Sequence, residues 1–236
     1  MCPVLDIHPG YLGNQELIQE TNLLLSLLSE APLSKGGRAE DYRRLGRAEH
    51  KQGACKRYLW LLAELKFRGV KQEFPEPLFY ETGQHTVLPE SVNTPAKQFE
   101  FRKKTPTLEN DFRIPLPKNH QQLWAQHKYS ILARDVKLYR ALGPKVALMK
   151  TSDEFSNLAN QLTLLLRSRP DTGGIRNALL HMWGYVSDGT GPKPGISRRS
   201  LQELNQEIQA RVASIGETYL LHSTALTELQ TWLTEE

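Results

Sequence analysis

Arg169-Pro170-Asp171-Thr172-Gly173-Gly174-Ile175-Arg176-Asn177-Ala178-Leu179-Leu180-His181-Met182-Trp183-Gly184-Tyr185 reads as a capped helix. Asp171-Thr172 supplies the cap, and the helix is expected to run over Thr172–Val186. Gly173-Gly174 leaves room at its first turn for another backbone or for an anion. Arg176, Asn177 and His181 fall on adjacent turns of the same helix, where they form either a polar contact at a helix crossing or a place for a phosphate or base.

Outward from that stretch the pattern stays helical. Upstream, Ser152–Arg169 is a predicted helix with Glu154 close behind its first residue, in the manner of a capping box, and Asn119–Leu142 is another. Downstream, Asp188–Gly195 breaks the pattern. Ser197–Leu233 then closes the chain with one or two helices carrying Leu201, Leu204, Ile208, Val212, Ile215, Leu220 and Leu221. Towards the front, Pro75–Pro117 holds Pro75, Pro77, Pro89, Pro95, Pro106, Pro115 and Pro117 with little periodicity, which predicts a long loop or linker. Before it, Glu40–Phe67 is predicted helical with a possible break at Gly46 or Gly53. Tyr58, Leu61, Leu62 and Leu65 make its apolar stripe, and Gly69 is its stop. A first helix is expected from a cap at Asn14 through Gln15–Ser29. The fold class is therefore all-α, one or more helical bundles divided as 1–74, a proline-rich connection 75–118, and 119–236.

Composition excludes several classes. With 236 residues, 39% of them hydrophobic, the chain can bury an ordinary core. Its longest apolar runs, such as Leu23–Leu28 and Leu162–Leu166, fall far short of the roughly 20 residues that span a bilayer, and Met1–Gly10 lacks the pattern of a secretion signal. No membrane partner is expected. Cys2 and Cys55 are the only cysteines, which suits a reducing cytoplasm and predicts no disulfide framework. Neither an H-x-x-x-H pair nor a Cys/His cluster has metal-ligand spacing, so no metal and no cofactor is expected. Gly189-Thr190-Gly191-Pro192-Lys193-Pro194-Gly195 lacks the P-loop pattern, and its prolines remove backbone donors, so it is a turn. No G-x-S-x-G nucleophile elbow is present.

Charge is uneven. From Lys35 to Lys71 eleven Lys or Arg residues face four acids, whereas the chain from Leu201 onward carries Glu203, Glu207, Glu217, Glu228, Glu235 and Glu236 against Arg211. A polyanion would meet the front half. Tyr42, Tyr58 and Trp60 lie in or beside that basic segment and are candidates to stack a base, with Tyr58 at core spacing.

His8-Pro9-Gly10-Tyr11-Leu12, the helix with Leu17-Ile18-Gln19-Glu20, the basic Tyr42-Arg43-Arg44 and Ala63-Glu64-Leu65-Lys66-Phe67-Arg68-Gly69 together resemble the pyrimidine-dimer DNA glycosylase family of the endonuclease V type, over roughly residues 1–74. The resemblance implies a compact helical fold, a duplex DNA partner, base flipping, and a nucleophile that is the backbone amine of Cys2 after removal of Met1. An α-amine, with a reference pKa near about 8, is neutral often enough at physiological pH to attack a sugar C1′. The family's essential glutamate falls on Leu23 in an ungapped alignment, its neighbouring arginine on Asn22, and an arginine beside the amine on Pro3. Glu20, nearly one turn earlier, is the substitute acid/base helper, and Glu16 on the preceding turn could approach the same space. Arg43, Arg44, Arg47, Lys51, Lys56 and Arg57 are the implied phosphate contacts.

From about Leu123 the chain resembles the YbgA-type helical domain of unknown function, through His127-Lys128-Tyr129, Tyr139-Arg140-Ala141-Leu142-Gly143 and the Arg169–Tyr185 stretch. This implies a small helical bundle and no transferable activity. Arg176, Asn177, His181 and His127 are its candidate second site. The functional expectation is a DNA-binding protein related to base-excision repair, acting as a glycosylase or AP lyase. The alternatives are a non-catalytic adaptor for nucleic acid or for a protein partner held by the C-terminal helices, and an enzyme of modified nucleobase metabolism.

Overall fold

The computed structural model describes residues 6–29, 51–75, 94–104, 111–187 and 195–233. These are helices and their connections, with no strand among the described residues, so the fold is all-α. In chain order the helices are α1 (Asn14–Leu28), α2 (Lys51–Phe67), α3 (Pro95–Lys104), α4 (His120–Leu132), α5 (Val136–Val146), α6 (Ser152–Leu165), α7 (Thr172–Val186), α8 (Leu201–Ile215), α9 (Thr218–Leu221) and α10 (Ala225–Glu228), with short 3-10 turns at Pro9–Tyr11, Ile196–Arg198 and Leu229–Trp232.

Helix ends follow local chemistry. The side chain of Asp171 caps α7 by accepting from Gly174 N, as the sequence predicts, and Glu154 completes a capping box at the start of α6, whose cap is Thr151 and whose end is Leu165 rather than Arg169. Gly69, at φ 68°, ends α2 in a Schellman motif: Val70 N–H donates to Leu65 O and Gly69 N–H to Lys66 O, each at 3.1 Å. Helix α2 runs through Gly53 without a break, while Gly46 lies outside the described residues. The cap of α1 is Gly13, one residue before the expected Asn14, because Glu16 reaches back to Gly13 N at 2.9 Å and Asn14 accepts from Arg68 instead.

Two larger differences separate structure from expectation. Asn119–Leu142 is two helices, α4 and α5, parted at Ala133–Asp135. Asp135 caps the new start by accepting from Leu138 N, and Arg134 turns inward to Ser168 O, Leu166 O and Glu228. Within the expected linker, residues 95–104 form α3. Pro95 occupies its first position, where a missing N–H costs nothing, and Ala96 and Phe99 bury against the same core as α6.

Helix α4 occupies the centre, touching α5, α6, α7 and α10. Three apolar clusters surround it. One joins α4, α7, α8 and the C-terminal turns; a second joins α3, α4 and α6 to Ile7, Tyr11 and Trp60 from the first part of the chain; a third joins α1 to α2. Helix α7 approaches α4 so closely that a Cβ on Gly174 would overlap the carbonyl oxygen of Ala133. Gly174 thus serves the close backbone approach that its sequence allowed. Gly174→Ala is expected to destabilise the protein by about 1–3 kcal/mol through overpacking against backbone that cannot move aside, read as a lower midpoint in urea unfolding; Gly184→Ala, where a Cβ meets nothing within 4 Å, is the control with no such loss.

Candidate functional site

The first polar site is assembled around the turn His8–Leu12. His8 Nδ1 accepts from Gly10 N at 2.9 Å, and Tyr11 N–H and Leu12 N–H close the 3-10 turn onto His8 O and Pro9 O. Arginines of α2 and its end take carbonyls in and beside this turn. Arg57 donates to Ile7 O at 2.6 Å, and Arg68 donates to Gly10 O at 3.1 Å and Leu12 O at 2.9 Å. Tyr11 donates to Gln126 Oε1 at 2.8 Å and lies against the His127 ring, with centroids 6.0 Å apart.

Beneath the turn, Glu64 has all its acceptor sites filled. Oε1 accepts from Arg68 Nε at 2.9 Å and Arg113 Nε at 2.7 Å; Oε2 accepts from Arg113 Nη2 and the Thr227 hydroxyl, both at 2.8 Å. Burial alone would raise the Glu64 carboxyl, but the charge and hydrogen bonds of Arg113, with Arg68, hold it well below the usual carboxylate range. Arg113 also donates to Leu221 O and Ser223 O, so this ion pair ties the first part of the chain to the last.

Glu20 is the contrasting carboxylate. Arg57 grips it in two bonds, Nε to Oε1 at 2.8 Å and Nη2 to Oε2 at 3.1 Å, with both side chains buried. Burial pushes the Glu20 carboxyl up, opposed by Arg57. Because Arg57 holds both Glu20 and Ile7 O, the carboxylate and the N-terminal segment share one anchor. Cys2, Tyr42, Arg43, Arg44 and Arg47 lie outside the described residues. Leu23, where the glycosylase-type glutamate would fall, is partly buried against the α1–α2 core.

Of the cations expected to hold phosphates, Lys56 and Arg57 turn inward. Lys56 Nζ donates to Thr231 O at 2.8 Å and sits 3.3 Å from the centroid of a Trp232 ring. Their charge stabilises the fold's own carbonyls and carboxylate, and both side chains are buried, which removes them from any surface contact with a phosphate. Lys51 is half-buried, and Lys66 and Lys71 are exposed. Tyr58 is core, its hydroxyl donating to Pro75 O at 2.7 Å, and Trp60 is also buried.

The second set is dispersed. His127 is buried, its Nδ1 paired with Leu123 O at 2.9 Å, and burial lowers its pKa to about 4. Arg176 donates to Arg199 O at 3.0 Å. Asn177 is half-buried and His181 exposed on α7, with no hydrogen bond between them. His127 thus belongs to the interior, whereas His181 belongs to the surface. Spacing within α7 and α4 carried no signal for the Glu64–Arg113–Thr227 group, whose members are far apart in sequence. Among the described residues no group of His, Cys, Asp or Glu is arranged to hold a metal ion, and no helix is long and apolar enough to cross a membrane.

Residues 128–233 match the family described as "Protein of unknown function (DUF1722)". The match covers a little under half of the chain and coincides with the segment that resembles the YbgA-type helical domain. Its description names no activity. No curated protein and no solved structure matches the chain.

Two outcomes test this interior. Glu64→Gln is expected to cost about 3–5 kcal/mol, because it leaves two buried guanidinium groups without their carboxylate, measured by chemical unfolding at neutral pH. For acidification, His127 titrates near 6.5 when unfolded but near 4 when folded, so the unfolded chain binds the extra proton between those values and stability falls as pH drops from about 6.5 to 4. Unfolding free energies measured across that window should decline less steeply for His127→Gln than for the native chain.

Proposed function

We propose that the protein binds DNA and acts on it as a base-excision enzyme of the AP-lyase type, through the amine of residue 2 with Glu20 as the acid/base group. The observation that carries this reading is Glu20 itself, a buried carboxylate with its carboxyl pushed up, held by Arg57, which also holds the N-terminal segment at Ile7. A buried carboxyl shifted from its ordinary range is a candidate for proton transfer.

In the reaction, the neutral amine attacks C1′ of an open abasic sugar. Water leaves, and the nitrogen and C1′ become an iminium. A base then takes a C2′ proton and the C3′–O bond breaks, expelling the 3′ phosphate; hydrolysis of the remaining imine returns the amine. Glu20 supplies a proton as water leaves and, ionised, accepts the C2′ proton. Arg43, Arg44 and Arg47 are the phosphate contacts of this reading, since Lys56 and Arg57 are engaged inside the fold.

A second reading, a nucleic-acid-binding protein without chemistry, is favoured by Leu23, an apolar side chain packed where an ungapped alignment with the glycosylase family that the front of the chain resembles puts its glutamate.

Borohydride trapping on duplex DNA with an abasic site separates the two. The expected result is a covalent adduct at the residue 2 amine, lost when the N-terminus is extended and formed about 100-fold more slowly by Glu20→Gln. Salt-sensitive DNA binding without any adduct would leave the second reading, and absence of both would end the DNA assignment.

A further inference from the structure

On the side of the fold built from α4, α7 and α9, four side chains from three helices form one aromatic and cationic surface. The Tyr185 and Tyr219 rings stack, with centroids 5.0 Å apart and planes at 18°. Tyr129 stands edge-on to both, at 6.3 Å and 6.4 Å. Lys128 Nζ lies 4.8 Å from the centroids of Tyr129 and Tyr219. Tyr129 is buried, Lys128 and Tyr219 are half-buried, and Tyr185 is 44% exposed, so the stack ends in a ring open to solvent.

The surroundings extend the pattern. His181 precedes Tyr185 by four residues and is exposed on the same face of α7, with no hydrogen bond among the described residues; Asn177 is one turn earlier. Four residues of helix advance about 6 Å, wider than the about 3.4 Å rise per nucleotide in a duplex strand, so successive rings match an unstacked strand better than a paired one. Helix α5 borders the cluster through Tyr139, which lies within electrostatic range of Tyr129 and Tyr219. It exposes Lys137, Arg140 and Lys145 and carries no acid. Glu217, two residues before Tyr219, is used as the cap of α9, accepting from Tyr219 N at 3.0 Å.

We propose that Tyr185, Tyr219, His181 and Lys128 form a binding site for single-stranded nucleic acid, in which a base stacks on Tyr185, a second lies against His181, and Lys128 with the cations of α5 meets the phosphates. Every base has a π-face, so the stacking is tolerant of sequence. The aromatic enclosure is already occupied by Lys128, which leaves the outer face of the stack and the ammonium charge for the ligand and disfavours a cationic one. The site is independent of the chemistry assigned to Glu20.

The test is fluorescence anisotropy of a labelled oligothymidylate titrated with the full chain, over a range of salt. Tyr185→Ala is expected to weaken binding about tenfold, Tyr185→Trp to stay within about twofold of the native chain, and Lys128→Gln to reduce the logarithmic salt slope by about 0.7, each with the native helical circular dichroism at the temperature of the titration. The titration reads Tyr185 and the trapping experiment reads the residue 2 amine, so an adduct without oligonucleotide binding would overturn this site alone, and binding without an adduct would support it alone. No binding by the native chain, equal affinity for Tyr185→Ala, or an unchanged salt slope for Lys128→Gln would overturn the proposal.

Discussion

The ion pair of Glu64 with Arg113 is the constraint around which the described parts of the chain are arranged. A carboxylate with no solvent contact is tolerable only if its oxygens are saturated, and here α2 supplies Arg68, the stretch before α4 supplies Arg113, and α10 supplies Thr227. Two guanidinium groups against one carboxylate leave an excess of positive charge inside. That excess is spread over backbone carbonyls at Gly10, Leu12, Leu221 and Ser223. The turn His8–Leu12 is therefore held by Arg68, and the end of α9 with the chain just beyond it by Arg113, both guanidinium groups being anchored on Glu64.

The inward use of Arg57 and Lys56 follows the same logic. Both are long cations whose stems are apolar and whose heads replace water at carbonyls that helices and turns leave open. Lys56 covers Trp232 and satisfies Thr231 O, both within the segment matched by the family of unknown function, although Lys56 lies outside it. Thr227 likewise depends on Glu64. The family-matched segment thus completes part of its interior with side chains from α2, and the packing is continuous across the proline-rich stretch.

The helical class and most helix bounds were legible because their signals are local. Asp171 before Thr172, Glu154 close behind Ser152, and Gly69 after Phe67 each act within one turn, and Gly174 was readable as a close approach because no other residue leaves that space. The division of α4 from α5 was not, since it rests on Arg134 meeting Ser168, Leu166 and Glu228, partners 32 to 94 positions away. The hidden helix α3 was masked by its own proline and those around it: Pro95 marks a helix start as readily as a loop. For the candidate sites, charge and spacing identified the basic segment but could not say which cations faced inward. A run of Lys and Arg looks the same whether its heads meet water or a buried carbonyl.

These internal commitments also distribute what remains for function. Around His8, burial lowers the imidazole and the arginines are engaged with backbone, while the two buried carboxylates part: for Glu20 burial outweighs the lowering by Arg57, and for Glu64 the guanidinium groups outweigh burial. On the opposite logic, α7 spends its first turn and its apolar face on packing against α4 and α8, and what it leaves outward is His181 and Tyr185. An interior that demands this many guanidinium groups draws cations away from the surface near α2, and the exposed positive charge that remains among the described residues includes that of α5, beside the tyrosines. A strand of nucleic acid approaching these residues would meet stacking rings and unpaired cations together, the combination that lets affinity arise without reading sequence.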